Sequence, residues 1–143
     1  MLAKLLVALL LMALCVGIHA VGLTAAVHRL RRVAASLPFS FKRSVGVLIA
    51  IAAWAILLHL LQIAAWALFY SLEHGMPDLP TALYFSAVTY TTTGYGDLVL
   101  PAEWRLVGGV EALTGILMCG LSTGFFFAVL AKTFESASTA NGD

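Results

Sequence analysis

Three stretches of the chain stay apolar for longer than a soluble helix needs: Leu5 to Val27, Val45 to Tyr70 and Leu106 to Ala131. Each reaches the roughly 20 residues with which a helix crosses a bilayer. The pattern predicts three transmembrane helices. Between the second and third lies a shorter, mixed segment, Ser71 to Arg105. Within it PTALYFSAVTY, Pro80 to Tyr90, continues without Gly or further Pro. Asp78 suits an N-cap ahead of it, and Pro80 suits the first turn. This run is too short to span the membrane, so it predicts a re-entrant half-helix. TTTGYGD, Thr91 to Asp97, follows at once. A polar, Gly-containing backbone at membrane depth is tolerated only where protein buries it or where it lines a water-filled path. The expected fold class is an all-α membrane protein with a re-entrant helix and loop between its second and third spans.

Composition agrees with a membrane protein. Of 143 residues, 62% are hydrophobic and 10% charged, with a mean hydropathy of +0.99; a soluble domain carries roughly 25% charged residues. The net charge of +1 gives no reason to expect nucleic acid. Cys15 and Cys119 both lie in apolar runs, without a Cys or His at metal-ligand spacing, and read as small buried thiols. Lys4 followed by LLVALLLMAL also fits a signal peptide, but the apolar run continues past an ordinary h-region and no clear A-x-A site follows. A retained transmembrane helix is expected.

Charge placement carries the topology. Arg29, Arg31, Arg32, Lys42 and Arg43 all fall between the first two spans, which by the positive-inside rule makes that loop cytoplasmic. Between the second and third spans stand Glu73, Asp78, Asp97 and Glu103 against Arg105 alone, so that loop faces outside. The N-terminus is then external and the C-terminus cytoplasmic. The five basic residues serve either to fix this topology or also to hold anionic lipid. SLPFSF, Ser36 to Phe41, suits a short segment in the headgroup region. The chain divides into an N-terminal helix with its basic loop (1–44), a central unit (45–132) and a short polar tail (133–143), expected to be frayed.

The chemistry of TTTGYGD follows from backbone physics. The C-terminal end of the half-helix, near Thr91, carries the negative end of a helix dipole and favours a cation. To replace a cation's water shell, successive carbonyl oxygens must point toward one axis, which requires positive φ at positions where Gly adopts it at little cost. Gly94 and Gly96 supply such positions. Thr92 adds a hydroxyl at the inner end, Asp97 leaves negative charge at the outer mouth, and Tyr95 is expected to pack on Tyr84, Phe85 and Tyr90. A dinucleotide loop is the competing reading, but Val99 stands where its third glycine belongs and no strand precedes it.

Thr92-Thr93-Gly94-Tyr95-Gly96-Asp97 resembles the potassium-channel selectivity filter, with Thr93 where that pattern has Val. ALYFSAVTYTTTGYGD as a whole looks like the pore loop of two-transmembrane potassium channels. The resemblance implies K⁺ coordination by Thr92, Thr93, Gly94, Tyr95 and Gly96. The third span resembles the inner helix of bacterial inward-rectifier-type channels, notably at Glu111, Gly115, Leu121-Ser122-Thr123-Gly124, Phe127 and Ala131-Lys132. Cys119, Thr123 and Phe127 recur every four residues on one face; the resemblance makes that face pore-lining, with Phe127 a hydrophobic gate and Gly115 and Gly120 hinge candidates. No cytoplasmic β-domain of the kind such channels carry is expected within this chain.

Two departures matter. Many relatives brace the filter through a Glu in the pore helix, where this chain has Val88. Glu111 is a carboxylate within a span, which reads as functional or as a structural partner near the outer leaflet. His19, His59 and Gln62 are expected to satisfy helix–helix contacts, and no span has the repeated Arg of a voltage sensor. The resulting expectation is a potassium-selective channel subunit in the plasma membrane (the inner membrane if bacterial), multi-pass and homotetrameric. No enzyme activity and no cofactor are expected beyond the permeant K⁺. A non-selective cation channel and a non-conducting partner subunit of a hetero-oligomer are the alternatives.

Overall fold

A computed structural model describes residues 2–35 and 41–140. Four α-helices, α1 (Leu2–Ala35), α2 (Phe41–Leu72), α3 (Leu79–Tyr90) and α4 (Arg105–Ala140), account for most of it, with one turn of 3-10 helix at Ala102–Trp104. No strand occurs among the described residues. Three 31-residue segments, Leu2–Arg32, Lys42–Leu72 and Ala102–Lys132, are long and apolar enough to cross a membrane. α3 has 12 residues, or roughly 18 Å at 1.5 Å per residue, about half a crossing.

Contacts fix the helix directions. His19 meets Gln62 and Gly22 meets Trp54, so α1 and α2 run antiparallel. Lys4 meets Glu103 while His19 meets Ser122, so α1 and α4 run parallel. Tyr70 meets Glu111, which sets α2 antiparallel to α4. α3 then enters from the end marked by Glu103 and stops about halfway through the bundle, where Tyr90 lies against Gly115.

α1 belongs to the same core as the rest. Ala8 and Cys15 are completely buried in one apolar cluster with Trp66, Tyr70, Phe85, Tyr90 and Met118. The Lys4 ammonium sits 3.7 Å from the centroid of the Trp104 ring and 3.2 Å from a Glu103 carboxylate oxygen, fastening the start of α1 beside the start of α4. The Trp54 indole N–H donates to the Gly22 carbonyl at 3.0 Å, a bond across helices where the indole has no water to use.

Three boundaries differ from the sequence reading. Arg29, Arg31 and Arg32 lie in the last turns of α1, and Lys42 and Arg43 in the first turn of α2, so the basic cluster caps two helices instead of occupying a loop. The expected frayed tail is helical as far as Ala140, because nothing in TFESASTA forces a stop. The headgroup reading of Ser36 to Phe41 falls on 36–40, outside the described residues, and on Phe41, which opens α2.

Candidate functional site

The half-helix forms as its sequence requires. Asp78 is extended and accepts the Thr81 backbone N–H at 2.8 Å, with Pro80 in the first turn. That bond holds the Asp78 carboxyl below its ordinary range. Ala82, Phe85, Ser86 and Tyr90 form the buried face of α3. Phe85 meets Tyr70 edge-on with centroids 5.4 Å apart.

The end of α3 is closed by the loop that follows. The Thr92 N–H donates to Thr89 O at 2.9 Å and the Thr93 N–H to Val88 O at 3.0 Å. This paired pattern terminates helices when the residue after the cap is left-handed, a place usually taken by Gly. Thr92 occupies it with φ 59°. A β-branched residue there is strained, and strain of this kind is stored where surrounding structure over-determines the backbone. Gly94 (φ 55°) and Gly96 (φ 78°) also take positive φ, as their positions in TTTGYGD predict. No signal in the sequence marks Thr92 as a third such position.

From Gly96 the chain climbs back along α3, since the Tyr84 hydroxyl donates to Asp97 Oδ2 at 2.7 Å. That bond raises the Tyr84 hydroxyl above its ordinary pKa. Every residue from Thr91 to Asp97 is exposed in the single chain. Tyr95 is 71% exposed and does not pack as expected, because its intended partners are engaged elsewhere. Tyr84 holds Asp97, Phe85 stacks on Tyr70, and Tyr90 turns into the bundle.

α4 has two faces. Val107, Glu111, Thr114 and Met118 are buried, a stripe at helical spacing against α2 and α3. Cys119, Gly120, Thr123 and Phe127 lie on the exposed side, Phe127 at 69%, whereas Phe125 is half-buried. The structure therefore gathers Cys119, Thr123 and Phe127 on one open face. Gly115 stands apart from them. It is buried, and a Cβ there would collide with the Tyr90 backbone carbonyl; a Cβ on Gly120 would meet nothing within 4 Å.

Behind α3, the Tyr70 hydroxyl donates to Glu111 Oε2 at 2.9 Å, so Glu111 is fully buried with a structural partner. Its carboxylate also faces the Ser86 hydroxyl, and the Trp66 indole N–H faces the Cys15 thiol; among the described residues neither contact closes to a hydrogen bond of ordinary geometry. At the inner end of α3, His19, His59, Gln62, Tyr90 and Ser122 join in a polar cluster from four helices. The sequence marked three of these as helix contacts. Ser122 and the Tyr90 hydroxyl were legible only as polar groups in line with a buried stripe, which does not name a partner.

Comparison with known proteins identifies the family. Residues 47–132 match the family described as "Ion channel". Over 58 residues the chain is 41% identical to the potassium voltage-gated channel protein shk-1 of Caenorhabditis elegans, covering 36% of this chain and 11% of that one. Over 65 residues it is 32% identical to the potassium voltage-gated channel protein Shal of Drosophila melanogaster, covering 45% of this chain and 11% of that one. The alignments thus take in about a tenth of the length of these curated relatives. No solved structure matches.

Proposed function

The chain belongs to the ion channel family, is a multi-pass membrane protein, and from that premise we propose that it is one subunit of a K⁺-selective, homotetrameric channel. One observation carries the reading: TTTGYGD stands on the C-terminal end of a half-length helix in mid-bundle, with Gly94 and Gly96 at positive φ. A helix end of that sense favours a cation, and a filter of this type needs one strand from each of four chains. The exposure of the whole stretch in one chain agrees, because irregular backbone at membrane depth must be covered by protein or face water.

In this reading Thr92, Thr93, Gly94, Tyr95 and Gly96 coordinate K⁺ and Asp97 sets the charge of the outer mouth. Cys119, Thr123 and Phe127 line the inner pathway on the open face of α4, with Phe127 as the inward-rectifier-type gate and Gly115 and Gly120 as hinge candidates. No reaction is catalysed and the ion gradient drives transport. The potassium-channel relatives support K⁺ as the ion. The N-terminus and outer mouth face outside the plasma membrane and the basic cluster faces the cytoplasm, where it also suits anionic lipid.

The test is the reversal potential of the purified protein in liposomes, with K⁺ on one side and Na⁺ on the other. A potential near that of K⁺ supports the proposal. A value near zero indicates a non-selective cation channel, and no current indicates a non-conducting subunit.

A further inference from the structure

The polar cluster at the inner end of α3 is a closed ring. Gln62 Nε2 lies 3.0 Å from His19 Nδ1, and His19 Nε2 lies 3.0 Å from Ser122 Oγ. Ser122 Oγ lies 3.0 Å from His59 Nε2, and His59 Nδ1 lies 3.0 Å from the Tyr90 hydroxyl. The Tyr90 hydroxyl closes the circuit on Gln62 Oε1 at 2.7 Å. An amide nitrogen donates and never accepts, which fixes the sense. Gln62 donates to His19, His19 to Ser122, Ser122 to His59, His59 to Tyr90 and Tyr90 to Gln62. Exchanging the Gln62 amide oxygen and nitrogen reverses every bond and leaves the ring closed. In either sense each imidazole has one N–H and one lone pair, and the two histidines are opposite tautomers.

Such a ring holds one hydrogen per link. A further proton on either imidazole puts six hydrogens on five links: a hydroxyl that accepts twice can keep the ring linked by turning its own hydrogen outward, but the ring then carries a positive charge inside the bundle. Only with both histidines neutral does the ring use every one of its hydrogens and carry no charge. Its members are strategically distributed: Tyr90 is the last residue of α3, directly before Thr91, and Ser122 adjoins Thr123 on α4. The other titratable groups near Tyr90 are Cys15 on α1 and Cys119 and Glu111 on α4; beside His19 stands His59, with ring centroids 5.2 Å apart. Val88 offers no polar side chain there, and the ring ties the inner end of the half-helix to the other helices through the Tyr90 hydroxyl.

We propose that His19, His59, Gln62 and Ser122 are positioning residues for the filter, acting through Tyr90, in a ring that one added proton destabilises. The inference rests on the channel reading. With the ring neutral, Tyr90 is tied to α1, α2 and α4 and the strained turn at Thr92 is held; with a charge in it, the tie weakens, the turn loosens and K⁺ flux falls. Histidine's charge change lies between about pH 5 and pH 8, so acid across that range is the trigger.

The experiment is ⁸⁶Rb⁺ or K⁺ flux through the full-length protein in liposomes, compared at about pH 8 and about pH 5.5. Wild-type flux is expected to fall reversibly by roughly fivefold or more, a weakening on the scale of one hydrogen bond's net worth. His59→Gln and His19→Gln keep a donor and an acceptor but do not titrate, and should flatten the profile. His28→Gln and His74→Gln should leave it intact. Nitrogen NMR of the imidazoles should show opposite tautomers at the higher pH. A flat wild-type profile, an acid response that survives both ring substitutions, or like tautomers would overturn the ring proposal alone. Absence of K⁺-selective flux at the higher pH would sink the channel reading and this inference together.

Discussion

Gly115→Ala adds one methyl group at the point where α4 touches the end of α3. A Cβ there would fall on the Tyr90 carbonyl oxygen, 2.7 Å from its carbon and 3.1 Å from its Cα. All three atoms are backbone, so no rotamer change relieves the contact. Overpacking of this kind costs about 1–3 kcal/mol, against a gain of up to about 1 kcal/mol for Ala over Gly inside a helix. The net expectation is a loss of about 1 kcal/mol, and the relief that remains is to push Tyr90, and with it Thr91 and Thr92, away from α4. Gly120→Ala, which meets open space, serves as the matched control and should be neutral or stabilising by about 0.5–1 kcal/mol. Thermal denaturation and size analysis in detergent, followed by K⁺/Na⁺ selectivity in liposomes, would read both effects. Gly115→Ala should denature earlier and discriminate less well, with Gly120→Ala like the wild type. Equal stability of the two variants would refute the contact argument, and altered opening by Gly115→Ala at unchanged stability would favour a hinge.

Other perturbations separate the parts of the reading. Gly96→Ala meets no neighbouring atom but forces a side chain onto φ 78°, at about 1–3 kcal/mol of strain; it should assemble yet lose K⁺ selectivity by reversal potential. Phe127→Ala should raise resting K⁺ flux without changing selectivity while Phe125→Ala does not, and equal effects would remove the gate assignment. Glu111→Ala leaves the buried Tyr70 hydroxyl without its acceptor, worth about 1–3 kcal/mol; Glu111→Gln keeps an acceptor, and should denature later than Glu111→Ala. Asp97→Asn should lower K⁺ conductance at low ionic strength, with the difference shrinking in high salt as the mouth charge is screened.

The fold was legible wherever one local rule decided it. Span lengths follow from apolar runs, and the half-helix follows from Asp78, Pro80 and the absence of a breaker before Thr91. Positive φ at Gly94 and Gly96 was legible because glycine is where that backbone is easily adopted. Thr92 was not, since its left-handed turn is imposed by the need to close the Val88 and Thr89 carbonyls against the propensity of a β-branched residue. Gly115 was read as a flexible point, but a glycine permits close approach as readily as bending, and only the position of Tyr90 distinguishes the two. The ring of His19, His59, Gln62, Tyr90 and Ser122 draws on four helices separated by up to 103 positions. Each member reads alone as a polar residue in search of a partner, and the pairing exists only once the helices are placed.

The fastening of α1 has a consequence for what can approach from the bilayer. With Ala8, Cys15 and His19 turned inward against α2 and α4, and Lys4 locked over Trp104, one flank of α4 is screened by another helix of the same chain. An acyl chain or a greasy blocker entering sideways along that flank would first have to displace α1. Its removal would also take His19 out from between Gln62 and Ser122. In the channel reading, compounds should therefore reach the inner pathway less readily across that flank than along the axis from the basic end of the bundle.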